Sequence, residues 1–351
     1  MRLNSKLRFG AVVLATTALV AGGFAGAGAQ DESPAAEECT PYTVGVTVYN
    51  MSSFITLGKM GLDAYAAANC INIEWNSAND DVNTQISQMQ QLIGKQVDAI
   101  IIVPVDASTL GPQVQQAKDA GIPVIAVNTG LIGDAAALLE SSVLPDDVLA
   151  GEAEMQQLAD LLGGKGKIVV LQGPLGSSPE INRTQGINNV LAKYPDIEVL
   201  AMDTANWARD QAYNKMKSWV SAFGPEIEGF VSENDDMAIG GHQALAEAGI
   251  EIPITGIDGI QDGLQGVLDG WLNATNLQNG ILELAEGLAV TKLILDGQPY
   301  EKEYSYVMPP VTDLETAQKY YDQIFGDNAE FLAGLPALVD ANVASGDLSN
   351  Q

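Results

Sequence analysis

Short apolar runs alternate with amphipathic segments along the chain from residue 43 onward. The apolar runs are rich in Val and Ile and end at turns, whereas apolar positions in the segments between them recur with the helical period. The predicted strands are residues 43–48, 72–75, 99–103, 124–127, 168–171, 198–202, 229–231 and 254–257. The predicted helices are residues 57–68, 82–93, 110–120, 152–162, 185–193, 210–223 and 237–248. This alternation predicts an α/β fold with parallel sheets covered by helices on both faces.

The predicted elements fall into two sets of β–α units. A segment at 141–147, with a proline and paired acids, interrupts the pattern, and we expect the chain to cross to a second lobe there. A later helix at 282–295 and an extended run at 304–307 indicate that the chain returns to the first lobe and leaves it again. The sequence thus predicts an N-terminal lobe of residues 40–142 and 279–304 and a C-terminal lobe of residues 147–278 and 305–351.

The first 29 residues have the three parts of a secretory signal peptide. Arg2, Lys6 and Arg8 precede an apolar run at 11–21, and small residues lead to Ala29. The run is short for a bilayer span, which takes about 20 residues. We therefore expect cleavage after Ala29 and release of the mature chain into the periplasm. A retained N-terminal anchor is the alternative.

The net charge of the chain argues against nucleic-acid binding, and its length favours two domains. The whole chain has a formal net charge of -29, and the predicted signal peptide carries basic residues but no acidic ones, so the mature chain is more negative still. A surface of this sign repels nucleic acid. The roughly 320 residues of the mature chain exceed the usual size of one hydrophobic core, which again favours two domains.

The chain has two cysteines, Cys39 and Cys70. They precede the first and second predicted strands, whose starting ends lie side by side if the strands are neighbours in a parallel sheet. In an oxidising compartment we expect them to form a disulfide, which would stabilise the fold by roughly 3 to 4 kcal/mol. Two unpaired buried thiols are the alternative.

The sequence shows few signs of catalysis. It contains no glycine-rich dinucleotide or P-loop motif and no Gly-x-Ser-x-Gly elbow. The single histidine, His242, lies within a predicted helix, where we interpret it as structural. The acidic pairs lack the spacing of a calcium loop and are typical of helix N-termini; they are Asp80-Asp81, Asp146-Asp147 and Asp235-Asp236. We expect no enzyme activity, no cofactor and no metal site.

Four segments carry a resemblance to a known family. Residues 85–106 contain Gln-Met-Gln-Gln-Leu-Ile followed by Val-Asp-Ala-Ile-Ile-Ile-Val-Pro-Val-Asp. Residues 121–128 read Gly-Ile-Pro-Val-Ile-Ala-Val-Asn, residues 233–240 read Glu-Asn-Asp-Asp-Met-Ala-Ile-Gly, and residues 256–259 read Gly-Ile-Asp-Gly. In order and spacing these segments resemble periplasmic sugar-binding proteins of the ribose/galactose type, over about residues 43–306.

The resemblance implies two similar three-layer α/β/α lobes joined by a three-strand hinge. It further implies a solute-binding protein of an ABC importer, which captures a monosaccharide or polyol in the interlobe cleft by hinge closure. Ligands of open α/β sheets bind at the carboxyl ends of the strands, which agrees with a cleft between two such sheets.

The resemblance also assigns a binding site. Phe54 and Trp207 would cover the two faces of a sugar, and Asn50 and Ser53 lie in the family's polar loop before Phe54. Rim hydrogen bonds would come from Arg183, Asn234, Asp258 and Gln278, with Asn128 at the end of the fourth strand. Core packing of the aromatic residues, helix capping by Asn234 and a turn role for Asp258 are the alternatives.

The first lobe departs from the family at three positions. Ribose- and galactose-type members often carry an Asp-Arg pair where this chain has Asn128 and Thr129, and Val103 replaces a frequent Asn. Losing the charged pair fits a less hydroxylated sugar, a deoxy sugar or a linear polyol.

The expected partner is an ABC transporter permease in the inner membrane, and the expected state is a monomer that binds no nucleic acid. Two further interpretations stay open: a sugar sensor presented to a chemoreceptor, and a binding protein for a non-sugar polar solute. A transcription regulator of this fold would need a basic DNA-binding segment before residue 43 and no export signal. An enzyme would need the catalytic groups that the sequence does not show.

Overall fold

Alternating strands and helices build two sheets, whose paired strands run parallel except at one edge of the second sheet. The computed structural model describes residues 41–326 and 328–349, and within them each sheet has six strands. In chain order the strands are β1 (Tyr42–Val48), β2 (Ile71–Ser77), β3 (Ala99–Val103), β4 (Val124–Val127), β5 (Ser141–Pro145), β6 (Lys165–Gln172), β7 (Asp196–Thr204), β8 (Gly229–Ser232), β9 (Ile254–Asp258), β10 (Ala274–Leu277), β11 (Glu303–Tyr306) and β12 (Pro310–Val311). The first sheet has the order β11-β5-β4-β3-β1-β2 and the second the order β12-β10-β9-β8-β6-β7.

Helices cover both faces of each sheet. They are α1 (Ser53–Ala68), α2 (Val82–Lys95), α3 (Gly111–Asp119), α4 (Gly133–Leu138), α5 (Asp147–Leu161), α6 (Ser178–Leu191), α7 (Arg209–Phe223), α8 (Asp235–Glu247), α9 (Gln261–Asp269), α10 (Gly280–Leu295), α11 (Leu314–Phe325) and α12 (Asn328–Ser345). We use first lobe and second lobe for each sheet with the helices that pack on it. The two-lobed α/β fold with parallel sheets is confirmed.

The central strands explain why both faces need cover. All five residues of β3 are buried. Ile101 packs in the cluster formed with α1 and α10, while Ile100 and Ile102 pack against α2 and α3 on the other face. A strand that is apolar at every position is stable only with helices on both sides, as the sequence predicts.

Three chain segments join the lobes. The chain passes from β5 to α5, from β10 to α10 and from β11 to β12. The predicted lobe boundaries at 142 and 304 fall inside β5 and β11, which both belong to the first sheet. The sequence pattern places the end of the first lobe at 142 because Pro145 and the acids after it interrupt the periodicity. Ser141, Ser142 and Val143 are nevertheless buried in the first sheet.

The C-terminal helices pack on different lobes. Helix α11 packs on α9 of the second lobe, whereas α12 packs on α1 and α10 of the first. The Tyr65 hydroxyl donates to Asp340 Oδ1 at 2.6 Å, and Asn342 Nδ2 donates to Glu286 Oε1 at 2.8 Å. The sequence predicts that all of residues 305–351 belong to the second lobe; the structure instead places α12 against the first.

Several elements were missed or shifted by the sequence patterns. Helix α6 begins at Ser178, seven residues before its predicted start at 185, because Pro179 and Glu180 form its first turn. Helix α9 and strand β10 were not predicted at all.

The predicted signal peptide, its cleavage after Ala29 and Cys39 lie outside the described residues. Cys70 lies at the turn between α1 and β2 with φ of 55°, and its pairing with Cys39 stays a prediction. Within the described part of the chain, no helix has the length and apolar composition needed to cross a membrane.

Candidate functional site

The carboxyl ends of the two sheets face each other across a narrow pocket. The free volume between the lining atoms is about 20 Å³, far below that of an open small-molecule site, so the two lobes lie close together here. Its lining comes from both lobes and from the crossover after β10: Tyr49, Ser52, Phe54, Asn128, Thr129, Pro179, Arg183, Trp207, Asn234, Asp258 and Gln278. We call this the interlobe pocket.

Seven of the nine predicted ligand-binding residues line the interlobe pocket: Phe54, Asn128, Arg183, Trp207, Asn234, Asp258 and Gln278. Their roles toward a ligand stay predictions. Four lining residues were missed as candidates, namely Tyr49, Ser52, Thr129 and Pro179. Tyr49 directly follows the last residue of β1, and that position alone could have indicated it, since strand ends form such sites.

Asn50 and Ser53 do not line the pocket. Asn50 Nδ2 donates to both carboxylate oxygens of Asp80 at 2.9 Å, so it joins two loops of the first lobe. Ser52 is the N-cap of α1 and accepts from the Ile55 amide at 3.2 Å. Ser53 is therefore already the first helical residue, and its hydroxyl donates to Asp236 Oδ1 at 3.2 Å.

Arg183 organises the second-lobe wall. It lies in the second turn of α6 rather than at a helix start, and it is 3% exposed. Its Nε donates to Asp147 Oδ1 at 2.8 Å, its Nη2 donates to Gln278 Oε1 at 2.9 Å, and its Nη1 donates to the Glu233 carbonyl. Nη1 lies 3.8 Å from Asp258 Oδ1. The guanidinium is thus held by three elements of the lobe and by the hinge residue Gln278.

Trp207 is presented by a strained turn. Both Asn206 and Trp207 have left-handed backbones, with φ of 53° and 59°, a conformation that costs a non-glycine residue free energy and clusters at binding sites. The indole packs against Gly173, where a Cβ would lie 2.0 Å from the ring. The Arg183 guanidinium carbon lies 5.5 Å from the ring centroid, in cation–π range. The glycine and the arginine together fix the plane of the indole.

Phe54 supplies the aromatic group of the first lobe. It lies in the first turn of α1 and is 4% exposed. Gly280, at the start of α10, lets the backbone approach: a Cβ there would lie 3.0 Å from Phe54 Cε2. The pocket therefore has an aromatic side chain on each lobe, although Phe54 also packs in the hydrophobic core.

The polar lining residues are positioned by the backbone. Asn128 has a left-handed backbone with φ of 66°, and its Nδ2 donates to Glu283 Oε2 at 3.3 Å. Asn234 caps α8 by accepting from the Met237 amide at 2.9 Å, so its amide nitrogen is the group left for a ligand oxygen. Asp258 has φ of 119°, and the loop after it is held by Asp235 Oδ2, which accepts from the Gly259 amide at 2.8 Å.

The cation of the pocket wall is paired. Burial alone would lower the pKa of Arg183, but Asp147 and Asp258 outweigh it and raise the pKa of the guanidinium. Burial raises the pKa of Asp258 well above its usual value, although Arg183 opposes the shift. Arg183 thus has an acidic partner, Asp147, at 2.8 Å and a second carboxyl group, Asp258, at 3.8 Å.

Several buried carboxyl groups lie behind the pocket. Burial raises the pKa of Glu233 to about 8 and that of Glu283 to about 8. Burial also raises the pKa of Glu154 on α5 well above its usual value. Glu154 is fully buried, and neither of its carboxylate oxygens has a hydrogen-bond partner among the described residues. These groups are protonated in the folded protein at a pH where the unfolded chain has lost the protons.

Replacing Glu154 with glutamine is expected to stabilise the protein at alkaline pH. A raised folded pKa favours folding fully only below the unfolded pKa, and the benefit is lost as the pH rises. The variant should match wild type near pH 4.5 and gain unfolding free energy over wild type as the pH rises to 8. Urea unfolding at both pH values measures this. Glu152→Gln, on the same helix but accepting from Asn189 at 2.8 Å at the surface, should show no gain that grows with pH.

His242 lies away from the pocket. Its ring stacks on Trp271 with centroids 4.3 Å apart, and burial lowers its pKa. It packs at the far end of the second lobe, in keeping with a structural role.

Comparison with known proteins identifies a matching family, related sequences and a similar solved structure. Residues 44–299 match the profile of a family described as Periplasmic binding protein domain. The chain is 55% identical over 307 residues to a xylitol-binding protein of Mycolicibacterium smegmatis, covering 87% of each chain. It is 29% identical to a ribose import binding protein of Bacillus subtilis, over 75% of this chain and 85% of the relative. A crystal structure of an ABC transporter solute binding protein from Bacillus halodurans with bound myo-inositol superposes with a TM-score of 0.76 at 28% identity, over 80% of this chain and 98% of the other.

Proposed function

This chain belongs to the periplasmic binding protein family, and we propose that it captures a small neutral polyol, xylitol or a close analogue, in its interlobe pocket for an ABC importer. The family is one of binding proteins rather than enzymes, so the proposal involves capture without chemical change.

The observation that carries the proposal is that Arg183 is already paired. Three of its five N–H groups are engaged by Asp147, Gln278 and the Glu233 carbonyl. A ligand carboxylate or phosphate would compete with Asp147 for the positive charge, and a ligand ammonium would face the guanidinium. Hydroxyl groups need neither a free charge nor a displaced partner, because each both donates and accepts hydrogen bonds.

The lining chemistry matches a polyol. Amide groups of Asn128, Asn234 and Gln278 offer donors and acceptors at fixed positions. Phe54 and Trp207 cover weakly polar C–H surface. The lobes leave about 20 Å³ between them, so a ligand enters only when they separate, and a compact ligand needs less separation than an oligosaccharide.

The names of two relatives also support a polyol ligand. The relative from Mycolicibacterium smegmatis, named a xylitol-binding protein, shares more than half of its aligned residues with this chain. The Bacillus halodurans structure holds myo-inositol, which is also a neutral polyol. Xylitol is therefore our first candidate, and a monosaccharide is the second.

We propose capture by hinge closure. The three crossovers join the lobes, and a ligand that contacts both lobes stabilises the closed form through contacts that the open form lacks. The binding proteins of this family act outside the cytoplasmic membrane; we further propose export by a signal peptide cleaved after Ala29, delivery to an ABC permease of the inner membrane as a monomer, and no binding of nucleic acid.

A thermal-shift screen followed by calorimetry tests the proposal. The mature protein would be screened against xylitol, ribitol, sorbitol, myo-inositol, ribose, galactose and a set of amino acids. A ligand at a thousand times its Kd adds about 4 kcal/mol to the stability. We expect the largest shift from a polyol. A shift from monosaccharides alone would favour the second candidate, and a shift from amino acids alone would contradict the proposal.

A further inference from the structure

Three hydrogen bonds join the lobes directly across the cleft. The Gly130 amide of the first lobe donates to Ser178 Oγ of the second at 2.7 Å. The Ala107 amide donates to the Gly176 carbonyl at 3.0 Å. The hydroxyl of Ser53, on α1, donates to Asp236 Oδ1, on α8, at 3.2 Å. We call these three bonds the latch.

The residues of the latch do not line the interlobe pocket. None of its six residues belongs to the described lining, but Gly130 and Ser178 are the chain neighbours of the lining residues Thr129 and Pro179. The bonds therefore close the rim around a ligand without contacting it. Resting on the proposed function, we propose that the latch sets the closing equilibrium, so that Ser178 and Ser53 determine the affinity for every ligand of the pocket and the choice of ligand for none.

Ser178 is specialised for this contact. It is the first residue of α6, and the N-cap Ser177 makes no side-chain capping bond. Ser177 Oγ is buried without a partner among the described residues, whereas Ser178 Oγ accepts from the opposite lobe. Of these two adjacent buried hydroxyls at one helix start, that of Ser178 makes the interlobe bond and that of Ser177 does not.

The absence of a side chain at Gly176 also favours the contact between the lobes. Its φ is 92°, which few side chains tolerate, and a Cβ would lie 3.1 Å from Asp106 Oδ2 of the first lobe. Asp106 is itself held in place, since its Oδ1 accepts from the Ser108 amide at 2.8 Å. A side chain at 176 would therefore oppose the approach of the lobes that brings the Gly176 carbonyl to Ala107.

The third bond ends on a fixed acceptor. Asp236 is 5% exposed, and its Oδ1 also accepts from Arg209 Nε. Arg209 in turn donates from Nη1 to Asp262 at 2.6 Å. Ser53 therefore binds to a carboxylate that is oriented before closure, which reduces the entropy lost when the bond forms.

The latch predicts a distinctive pattern of affinities. A group that favours the closed form without contacting the ligand changes the fraction of binding-competent protein, and this fraction scales every dissociation constant alike. A group that contacts the ligand changes different ligands by different factors. The ratio of Kd values between ligands therefore separates the two roles.

The test compares Ser178→Ala with Ser177→Ala. Calorimetry with xylitol, ribitol and sorbitol should show Kd raised about three- to tenfold by Ser178→Ala, by one common factor for each ligand that binds. Ser177→Ala should leave Kd within about twofold. Unchanged affinity, or a factor that differs between ligands, overturns the latch.

A second measurement needs no ligand. Small-angle X-ray scattering of the ligand-free proteins should show a larger radius of gyration for Ser178→Ala than for Ser177→Ala. If wild type binds none of the polyols, the proposed function fails, and the scattering comparison still decides the latch: equal radii overturn it. Circular dichroism confirms that both variants are folded.

Discussion

Replacing Trp207 with alanine is expected to weaken polyol binding about 50-fold or more while leaving the fold intact. The indole is the aromatic group of the second lobe in the pocket, and it contacts the Arg183 guanidinium. Its loss would remove one apolar face of the site and leave a gap over Gly173 that water would fill. Losses of about 2 to 4 kcal/mol are typical when a buried aromatic anchor is truncated, and 1.4 kcal/mol is a factor of ten. Trp207 packs against the hydrophobic core but is itself only partly buried, so we expect the fold to survive the loss of this ring.

Calorimetry with the polyol found in the screen measures the effect, and circular dichroism checks the fold. Trp271→Ala is the matched control, because Trp271 also packs against a glycine of the second lobe, with a Cβ at Gly266 lying 2.3 Å from its ring. Trp271 lies outside the pocket, so its variant should lose stability but keep its affinity. Near-normal affinity of Trp207→Ala would remove Trp207 from the site.

The sequence predicted the lobes well because their signal is local and repeated. Runs such as Ala99–Val103 are apolar at each position and fit only strands covered on both faces. The family resemblance then supplied the pocket positions Phe54, Arg183 and Trp207, which the structure brings together. No local pattern around Trp207 could have shown that its ring would lie against the guanidinium.

The errors have physical reasons that sequence patterns do not contain. Ser52 and Ser53 are the same residue type, so the sequence does not distinguish them. One step along a helix rotates the side chain by about 100°, so Ser52 lines the pocket and Ser53 donates to Asp236. The start of α6 was hidden because Ser177 and Pro179 are also typical of a turn. The lobe that α12 joins depends on contacts with Tyr65 and Glu286, far away in the chain.

The buried charges of the second lobe explain why one arginine is so important to this site. Acidic groups near the pocket outnumber basic ones, and burial raises the pKa of several of them, including Glu233 and Glu283. Arg183 is the cation that pairs with the ionised Asp147. Such an ion pair adds little stability over an apolar equivalent, but breaking it leaves an uncompensated charge in the interior. We infer that the arginine is retained for the hydrogen bonds that it directs toward the pocket and Gln278.

Replacing Arg183 with glutamine is therefore expected to abolish measurable polyol binding and to lower the unfolding free energy by about 3–5 kcal/mol at neutral pH. The destabilisation should shrink as the pH falls toward 5, because protonation of Asp147 removes the buried negative charge. The double variant Arg183→Gln/Asp147→Asn should recover most of the stability but not the binding, since the hydrogen bonds to Gln278 and the contact with Trp207 stay lost. Urea unfolding at pH 5 and 7 with calorimetry measures both effects.

Lys167→Gln provides the control for that experiment. Lys167 forms an ion pair with Glu226 in the same lobe, but their side chains are 38% and 58% exposed. Exposed pairs contribute about 0–1 kcal/mol, so this variant should change the stability by no more than that and leave binding intact. If Arg183→Gln changes stability and affinity as little as Lys167→Gln does, the pocket does not need the guanidinium. If the double variant regains binding, the role of Arg183 is to neutralise Asp147, and the ligand contacts must be sought among the amide side chains of Asn128, Asn234 and Gln278.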